Sequence, residues 1–309
     1  MEALAIPFLL FVGSLLALQA GANVQLSGAI GSPIGASTLQ LAIGAGLLLA
    51  LTAAAGTLGA FSALAEAEPA HLWGGIGSAV YITAGILLFP RLGALVAVGL
   101  FIAGQMGASL LLDGSGWLGV ERESLTFSAF VGALAVVAGT WMIVRAQAGS
   151  DSLDGALRNR GGWLAIGLAA GAVLPVQGAV NAQLRADVDA PITVGAFSFV
   201  VATVTMAVVL AAVLALRRSA PPTGARLRRV PWWAWLGGAC GATYVTSVFV
   251  LIPEIGVAPT VALTVAGQQI ASVFVDRYGL LRLPRRPISR ARLTGVVLLL
   301  GGVALIQLA

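Results

Sequence analysis

Two amide side chains interrupt an otherwise apolar segment near the start of the chain. Gln19 and Asn23 are four residues apart, so a helix would carry both amides on one face. Burying an amide without a hydrogen bond costs several kcal/mol. These amides must therefore face protein or water, where they could either bond neighbouring helices together or bind a polar solute.

The same pattern occurs again later in the chain. With a shift of 158 residues, LQAGANVQLSGAIGSPI aligns with VQGAVNAQLRADVDAPI, which places Gln177 and Asn181 over the first amide pair. The comparison depends on the matches between polar residues, because Ala, Gly and Leu would coincide by chance in a sequence this rich in them. The aligned pair Gln25 and Gln183 lies off the amide face near the helix end, and we predict a structural role for it.

A second polar stripe would run along one helix, and a shift of 163 residues repeats it. Spacings of four residues keep the side chains on one face, from the middle of the apolar run toward its end. The two stripes are Gln105, Ser109 and Asp113, and Gln268, Ser272 and Asp276. The glutamines are candidates for solute binding, and the serines and aspartates for coupling or gating. Each aspartate could take up a proton or a cation, or could anchor a loop at a helix end.

The shift of 163 residues also aligns Tyr81 with Tyr244. Both hydroxyls would lie in the middle of an apolar run, where each could reach a glutamine, contact a ligand or only pack. With the four amides of the first pattern and the two glutamines of the stripes, these tyrosines complete the set of candidate solute-binding residues.

The composition is that of a membrane protein. Of 309 residues, 59% are hydrophobic and 9% are charged, and the mean hydropathy is +0.98. A transmembrane helix needs roughly 20 apolar residues. Such runs predict ten spans, at about 5–27, 34–56, 71–90, 93–113, 125–146, 162–184, 191–216, 231–252, 257–276 and 291–308. Pro90 and Pro253 are interpreted as boundaries between neighbouring spans, although either could be a kink.

The two shifts together predict a duplicated unit of five helices. We divide the chain into an N-terminal repeat at 1–147, a cytoplasmic linker at 148–161 and a C-terminal repeat at 162–309. Because five is an odd number, the second unit would enter the membrane upside down relative to the first. The predicted fold is an all-α integral membrane protein of ten transmembrane helices in two inverted-topology repeats, an organisation that recurs in secondary transporters.

The placement of charge predicts the orientation. All 17 basic residues are arginines, and all but Arg122 and Arg185 fall in loops that share one side of a ten-span topology. Cytoplasmic loops carry an excess of Lys and Arg. The prediction is a multi-pass protein of the cytoplasmic membrane with both termini outside. The basic balance is assigned to insertion and not to nucleic-acid binding.

The sequence carries no recognisable catalytic constellation. One histidine and one cysteine disfavour a histidine-based metal site and exclude an internal disulfide framework. The motifs of metalloproteases, serine hydrolases, phosphate loops and redox CxxC pairs do not occur in it. We therefore expect no enzyme activity, no metal and no cofactor.

The repeated motifs resemble the YdcZ-type family of the drug/metabolite transporter superfamily, in a fused two-unit form. The resemblance rests on Gln-x-x-x-Asn-x-Gln-Leu followed by a proline, and on Gly-Gln…Ser…Asp-x-x-Gly, each present twice. It implies an antiparallel two-unit membrane protein that acts as an inner-membrane exporter. A histidine often follows the aspartate in the family pattern, whereas Gly114 and Arg277 stand there in this chain, so no role of that histidine is carried over.

The prediction for function is a transporter that exports a small polar or amphipathic metabolite by alternating access. Its partners would be the small-molecule substrate and the lipid bilayer, and a monomer would act as an internal pseudo-dimer. A flippase for lipids or lipid-linked intermediates and a passive channel remain alternatives, as does a purely structural membrane protein.

Overall fold

The structure is a computed structural model that describes residues 2–92, 94–148, 161–216, 222–223, 227–283, 285 and 289–307. Its long helices are α1 (Glu2–Ile30), α2 (Pro33–Ala54), α3 (Ile76–Leu92), α4 (Ala94–Ser115), α5 (Phe127–Ala148), α6 (Gly161–Val188), α7 (Pro191–Ala215), α8 (Gly237–Ile255), α9 (Val257–Tyr278) and α10 (Arg290–Gln307). Short 3-10 segments, Pro69–Trp73 and Trp232–Leu236, precede α3 and α8. The predicted linker lies outside the described residues except at its two ends.

Seven helices in the described part of the chain are long and apolar enough to cross a membrane. They are α1, α2, α4 and α6 to α9, and α5 adds a shorter apolar stretch, Phe127–Ile143. These helices agree with the predicted all-α membrane protein. The count of ten spans stays a prediction.

Proline marks the start of two helices that the repeat places in corresponding positions. Pro33 and Pro191 are the first residues of α2 and α7, where the missing N–H has no intrahelical partner to lose. Oγ of Ser32 also accepts a hydrogen bond from the N–H of Gly35 at 3.1 Å, which caps α2. Local chemistry therefore sets both helix starts within a residue of the predicted positions.

The helices continue past Pro90 and Pro253, which corrects the boundaries expected there. α3 reaches Leu92 and α8 reaches Ile255, two residues beyond the proline in each case. A proline loses its own N–H bond, but its carbonyl can still accept one, so a helix in its last turn need not stop there. After α8 the break falls at Gly256, whose φ of 85° suits glycine.

Glycines bring α5 and α10 into backbone contact. A Cβ atom on Gly132 would lie 2.6 Å from the carbonyl oxygen of Gly302, and one on Gly139 would lie 2.5 Å from that of Gly295. The lower-numbered glycine of α5 thus meets the higher-numbered glycine of α10, so the two helices run antiparallel. Close packing of small residues is a main source of helix association in lipid.

The second helices of the two predicted repeats, α2 and α7, also run antiparallel. Gly44 of α2 packs on Phe199 of α7, and Gly195 of α7 lies next to Leu48 of α2. Both helices contribute to one cluster of buried apolar side chains. This cluster and the α5–α10 contact join the first half of the chain to the second.

Two further glycine contacts are equivalent in sequence. Gly13 of α1 abuts the backbone of Thr264 in α9, and Gly171 of α6 abuts the backbone of Phe101 in α4. Shifts of 158 and 163 residues convert one contact into the other. The first helix of each repeat therefore packs on the fourth helix of the other repeat.

We expect Gly302→Ala to lower stability, whereas Gly301→Ala should not. A Cβ atom at Gly302 would lie 2.5 Å from the carbonyl oxygen of Gly132, but nothing lies within 4 Å of one at Gly301. Alanine also favours a helix over glycine by about 1 kcal/mol. The melting temperature, followed by tryptophan fluorescence in detergent, should fall only for Gly302→Ala. Equal melting temperatures for the two variants would contradict the backbone contact.

Candidate functional site

The amide of Gln177 is bonded to a serine of the other predicted repeat. Its Nε2 atom donates to Oγ of Ser78 at 2.9 Å, and this hydroxyl donates to Oε1 of Gln177 at 3.1 Å. Both side chains are buried, Gln177 on α6 and Ser78 on α3. The pair links the two halves of the chain and occupies one donor and one acceptor position of the Gln177 amide.

Asn181, one turn further along α6, is bonded within its own repeat. Its Nδ2 atom donates to Oγ of Ser198 on α7 at 3.0 Å. Its Oδ1 atom is buried against Gly74 and has no hydrogen-bond partner among the described residues. An amide can both donate and accept, so Asn181 is only half satisfied.

The counterparts on α1, Gln19 and Asn23, are not bonded in this way. Gln19 lies beside Gly241 of α8, which takes the place that Ser78 has in the other repeat and offers no hydroxyl. Within the described part of the chain Gln19 forms no hydrogen bond, and its side chain is partly exposed. Oδ1 of Asn23 is likewise buried there without a partner. The four amides that the sequence makes equivalent therefore have different surroundings.

A narrow cavity lies between α4, α6, α8 and α9. Its polar lining consists of Gln105, Gln177 and Tyr244, and no charged residue among those that the structure describes lines it. The apolar lining is Leu174, Pro175, Gly178, Val245, Val248 and Val261. Gln105 is only 3% exposed and forms no hydrogen bond with a described residue. The cavity volume of about 10 Å³ admits about one water molecule.

The two tyrosines predicted as equivalents differ in their surroundings. Tyr244 lines the cavity and is buried. Tyr81 is half-buried and packs on Phe101, with ring centroids 4.9 Å apart. It is not part of the cavity lining. The structure thus brings one tyrosine, and not both, to the candidate site.

The serines of the two stripes bond to their own helices. Oγ of Ser109 donates to the carbonyl of Met106 at 2.9 Å, and Oγ of Ser272 donates to that of Gln268 at 2.7 Å. Such bonds to the preceding turn satisfy a hydroxyl in an apolar setting. Ser109 is fully buried, whereas Gln268 is half-buried and is not part of the cavity lining.

Asp113, at the end of α4, caps the start of α9. Its Oδ1 accepts from the N–H of Val257 at 2.9 Å, and its Oδ2 accepts from that of Ala258 at 2.6 Å. A carboxylate is favoured at a helix N-terminus. This contact agrees with the loop-anchoring alternative for Asp113 and joins the two repeats. The side chain of Asp276 lies outside the described residues.

A second carboxylate lies beside the same helix start. Glu123, in the loop after α4, approaches Gly256, the residue that precedes α9. Partial desolvation raises the pKa of Glu123, and the negative charges of Asp113 and Glu121 raise it further. Repulsion between these carboxylates is therefore concentrated where α4 meets α9.

Gln25 and Gln183 form similar contacts at opposite ends of the helix bundle, with acceptor carbonyls that are offset by one residue in the repeat alignment. Nε2 of Gln25 donates to the carbonyl of Leu281 at 3.2 Å, and Nε2 of Gln183 donates to the carbonyl of Gly119 at 2.8 Å. Each amide belongs to the first helix of one repeat, and each carbonyl follows the fourth helix of the other. We name these contacts the Gln25 latch and the Gln183 latch. They agree with the predicted structural role of both glutamines.

The carbonyl of each latch belongs to a short left-handed turn. Leu118 and Leu281 both have a φ of 57°, and a glycine two residues earlier, Gly116 or Gly279, also has a positive φ. A bulky residue in this region is a genuine outlier, and such strain persists only where the surroundings enforce it. The same strained turn in both repeats indicates that it has a common structural purpose.

Sequence reasoning missed the residues that bond the amides. Ser78 and Gly241 are aligned by the shift of 163 residues, so their difference was visible, but only the structure shows that both face a glutamine. An interaction between Nδ1 of His71 and Oδ2 of Asp187, at 2.7 Å, was also missed. This contact connects the segment before α3 to the end of α6.

The position of Arg292 corrects its assignment to a loop in the sequence analysis. The sequence places it with the loop arginines, but it lies in the first turn of α10 and its side chain is 1% exposed. A long apolar stem allows an arginine to extend along a helix surface. Its burial means that Arg292 contributes to packing as well as to the charge of that side.

A known family and a solved structure resemble this chain. A model of the family described as "Putative inner membrane exporter, YdcZ" matches residues 4–142 and 162–305, which agrees with a fused two-unit form. No curated protein matches the chain. A solved structure described only as a crystal structure of a protein has a TM-score of 0.72, over 99% of this chain and 96% of the other. At 17% sequence identity this likeness concerns the fold alone.

We expect Ser78→Ala to destabilise the protein by about 1–3 kcal/mol, because it leaves the buried amide of Gln177 without its partner. Ser62→Ala is the matched control, since the Ser62 hydroxyl is exposed and bonds only to the nearby carbonyl of Gly59. Unfolding in mixed micelles would measure both free energies. If the two variants lost the same stability, the Ser78–Gln177 crosslink would be energetically unimportant.

Proposed function

The chain belongs to the YdcZ family of the drug/metabolite transporters, and we propose that it exports a small polar or amphipathic metabolite by alternating access. The family is described as "Putative inner membrane exporter", which supports a transporter over an enzyme. The observation that carries the proposal is the pair of similar latches at the two ends of the helices, with the central cavity between them.

The packing of corresponding helices supports inverted repeats. The second helices of the two repeats, α2 and α7, run antiparallel, and so do the fifth helices, α5 and α10. Two units whose corresponding helices are antiparallel have opposite orientations in the membrane. Transporters built in this way keep the substrate site near the midplane, between the repeats.

A hydrogen bond joins the two halves of the chain at each end of the helix bundle. The Gln25 latch and the Gln183 latch are made at once, and the cavity holds about one water molecule. We assign this state to an occluded step of the cycle. Opening of either end would break one latch and keep the other, and exchange between the two openings would carry a solute across.

The orientation assigns a membrane face to each latch. With the Arg-rich loops in the cytoplasm and both termini outside, the Gln183 latch faces the outside and the Gln25 latch faces the cytoplasm. The two fused repeats supply both gates, so a single chain, acting as an internal pseudo-dimer, would be sufficient. Export requires the cytoplasmic latch to open for loading and the outer latch to open for release.

One observation favours a second candidate, a lipid flippase. An apolar groove of about 490 Å³ lies between α1 and α9, lined by residues that include Leu10, Phe11 and Phe274. An acyl chain could occupy such a groove, whereas the amides could contact a head group. Scrambling of fluorescent lipids in proteoliposomes would favour this candidate, and accumulation of a soluble solute against its gradient would favour the transporter.

We expect replacement of both Gln19 and Gln177 by leucine to abolish transport while folded protein stays in the membrane. A thermal-shift screen of neutral and charged metabolites at two pH values would first identify a ligand. Uptake of that ligand into proteoliposomes would then be compared between the wild type and the double variant. Unchanged uptake would remove these amides from the solute path.

Breaking one latch should open one face. In a Cys240→Ala background, a Gln105→Cys reporter would be labelled with a membrane-impermeant thiol reagent in intact cells and in everted vesicles. Gln183→Ala should increase labelling from outside, and Gln25→Ala should increase labelling from the cytoplasmic face. Labelling equal to the parent in both variants would show that the latches do not gate the cavity.

A further inference from the structure

The two repeats differ at the position that faces the central glutamines. Ser78 of the first repeat is replaced by Gly241 in the second. Gln177 therefore has a hydroxyl that both accepts from it and donates to it, whereas Gln19 faces a glycine and forms no hydrogen bond with a described residue. One substitution makes one amide structural and leaves its counterpart available.

The available amide lies beside Gly241, one turn of α8 before the cavity lining, although Gln19 itself is not part of that lining. Gly241 is one helical turn before Tyr244 and Val245, which line the cavity, so all three lie on one face of α8. Gln19 thus faces the same stripe of α8 as the cavity does. On the other side of the cavity, the buried amide of Gln105 is also without a hydrogen-bond partner in the described part of the chain.

Charge is missing from this environment, which restricts the solute. No charged residue of the described chain lines the cavity, and the carboxylate of Asp113, two turns further along α4 than Gln105, accepts hydrogen bonds from two N–H groups of α9. A charged solute would lose its hydration without gaining a counter-charge. The walls contributed by Leu174, Val248 and Val261 suit an apolar body.

We propose that Gln19 and Gln105 form the solute-recognition pair, and that they select a neutral solute with an apolar body and a group that both donates and accepts hydrogen bonds. A carboxamide or an alcohol has this chemistry, and a primary amide can bond to either. Gln177 also lines the cavity, but its bonds to Ser78 assign it to the framework of the site. This inference rests on the proposed transport function for its purpose, but its test does not require a known substrate.

Thiol reactivity tests both the asymmetry and the preference for neutral molecules. In the Cys240→Ala background, Gln19→Cys is compared with Gln177→Cys, its equivalent in the other repeat. Purified full-length protein would be treated with three methanethiosulfonates, one neutral (methyl), one cationic (2-aminoethyl) and one anionic (2-sulfonatoethyl). Mass spectrometry gives each rate, which is divided by the rate of the same reagent with free 2-mercaptoethanol.

The expected result is a contrast between positions and between reagents. The thiol at position 19 should react with the neutral reagent about tenfold faster than with either charged reagent, and about tenfold faster than the thiol at position 177 does. Equal neutral rates at the two positions would overturn the asymmetry. A charged reagent that reacted at position 19 as fast as the neutral one would overturn the assignment of a neutral solute.

A second pair of reporters covers the case in which Gln19→Cys fails to fold. Asn23→Cys and Asn181→Cys are one turn further along the same two helices, and the same contrast is expected between them. A full contrast in a protein that transports no solute would support the site and contradict the transporter. Transport without the contrast would support the transporter and contradict the proposed recognition site.

Discussion

An unsatisfied hydrogen-bonding group is costly in a water-poor interior. This cost separates the polar residues of the protein into those that are bonded and support the fold, and those that are unbonded and are candidates for binding a solute. Serines such as Ser109 and Ser272 bond to their own helices, and Asp113 bonds to the start of α9. These groups are satisfied, so they stabilise the protein and have little left for a solute. The amides of Gln19 and Gln105 have no such partner in the described structure. Gln105 lines the cavity, and Gln19 lies beside Gly241, one turn of α8 before the cavity-lining Tyr244. A buried donor and acceptor without partners is costly unless water or a ligand supplies them.

Close helix contacts hold these groups in place without a large apolar driving force. Lipid tails are as apolar as the side chains that face them, so helices associate through tight packing and a few polar bonds. Gly132 and Gly302 bring α5 and α10 together at the backbone, and Gly13 does the same for α1 and α9. Since each contact joins one half of the chain to the other, the halves form one body whose interface contains the candidate site.

Each latch is weak enough to be reversible. A single amide-to-carbonyl hydrogen bond contributes about 0.5–1.5 kcal/mol, which is small enough to break during a transport cycle. The strained leucines Leu118 and Leu281 hold each acceptor carbonyl in position, at a cost of order 1–3 kcal/mol for each residue. The repetition of this arrangement at both ends is the physical basis for the proposal that each end can open separately.

The sequence by itself determined the family, the all-α membrane class and the repeated polar motifs, because hydropathy and polar identities are local properties of the chain. It also indicated Gln25 and Gln183 as structural, since their spacing puts them off the amide face. The inverted arrangement and the ten spans remain predictions. Only the tertiary structure separated Gln19 from Gln177, which look equivalent in the alignment. Whether an amide is satisfied depends on the residue opposite it on another helix, Gly241 or Ser78, and helix packing alone decides which residues are opposite each other.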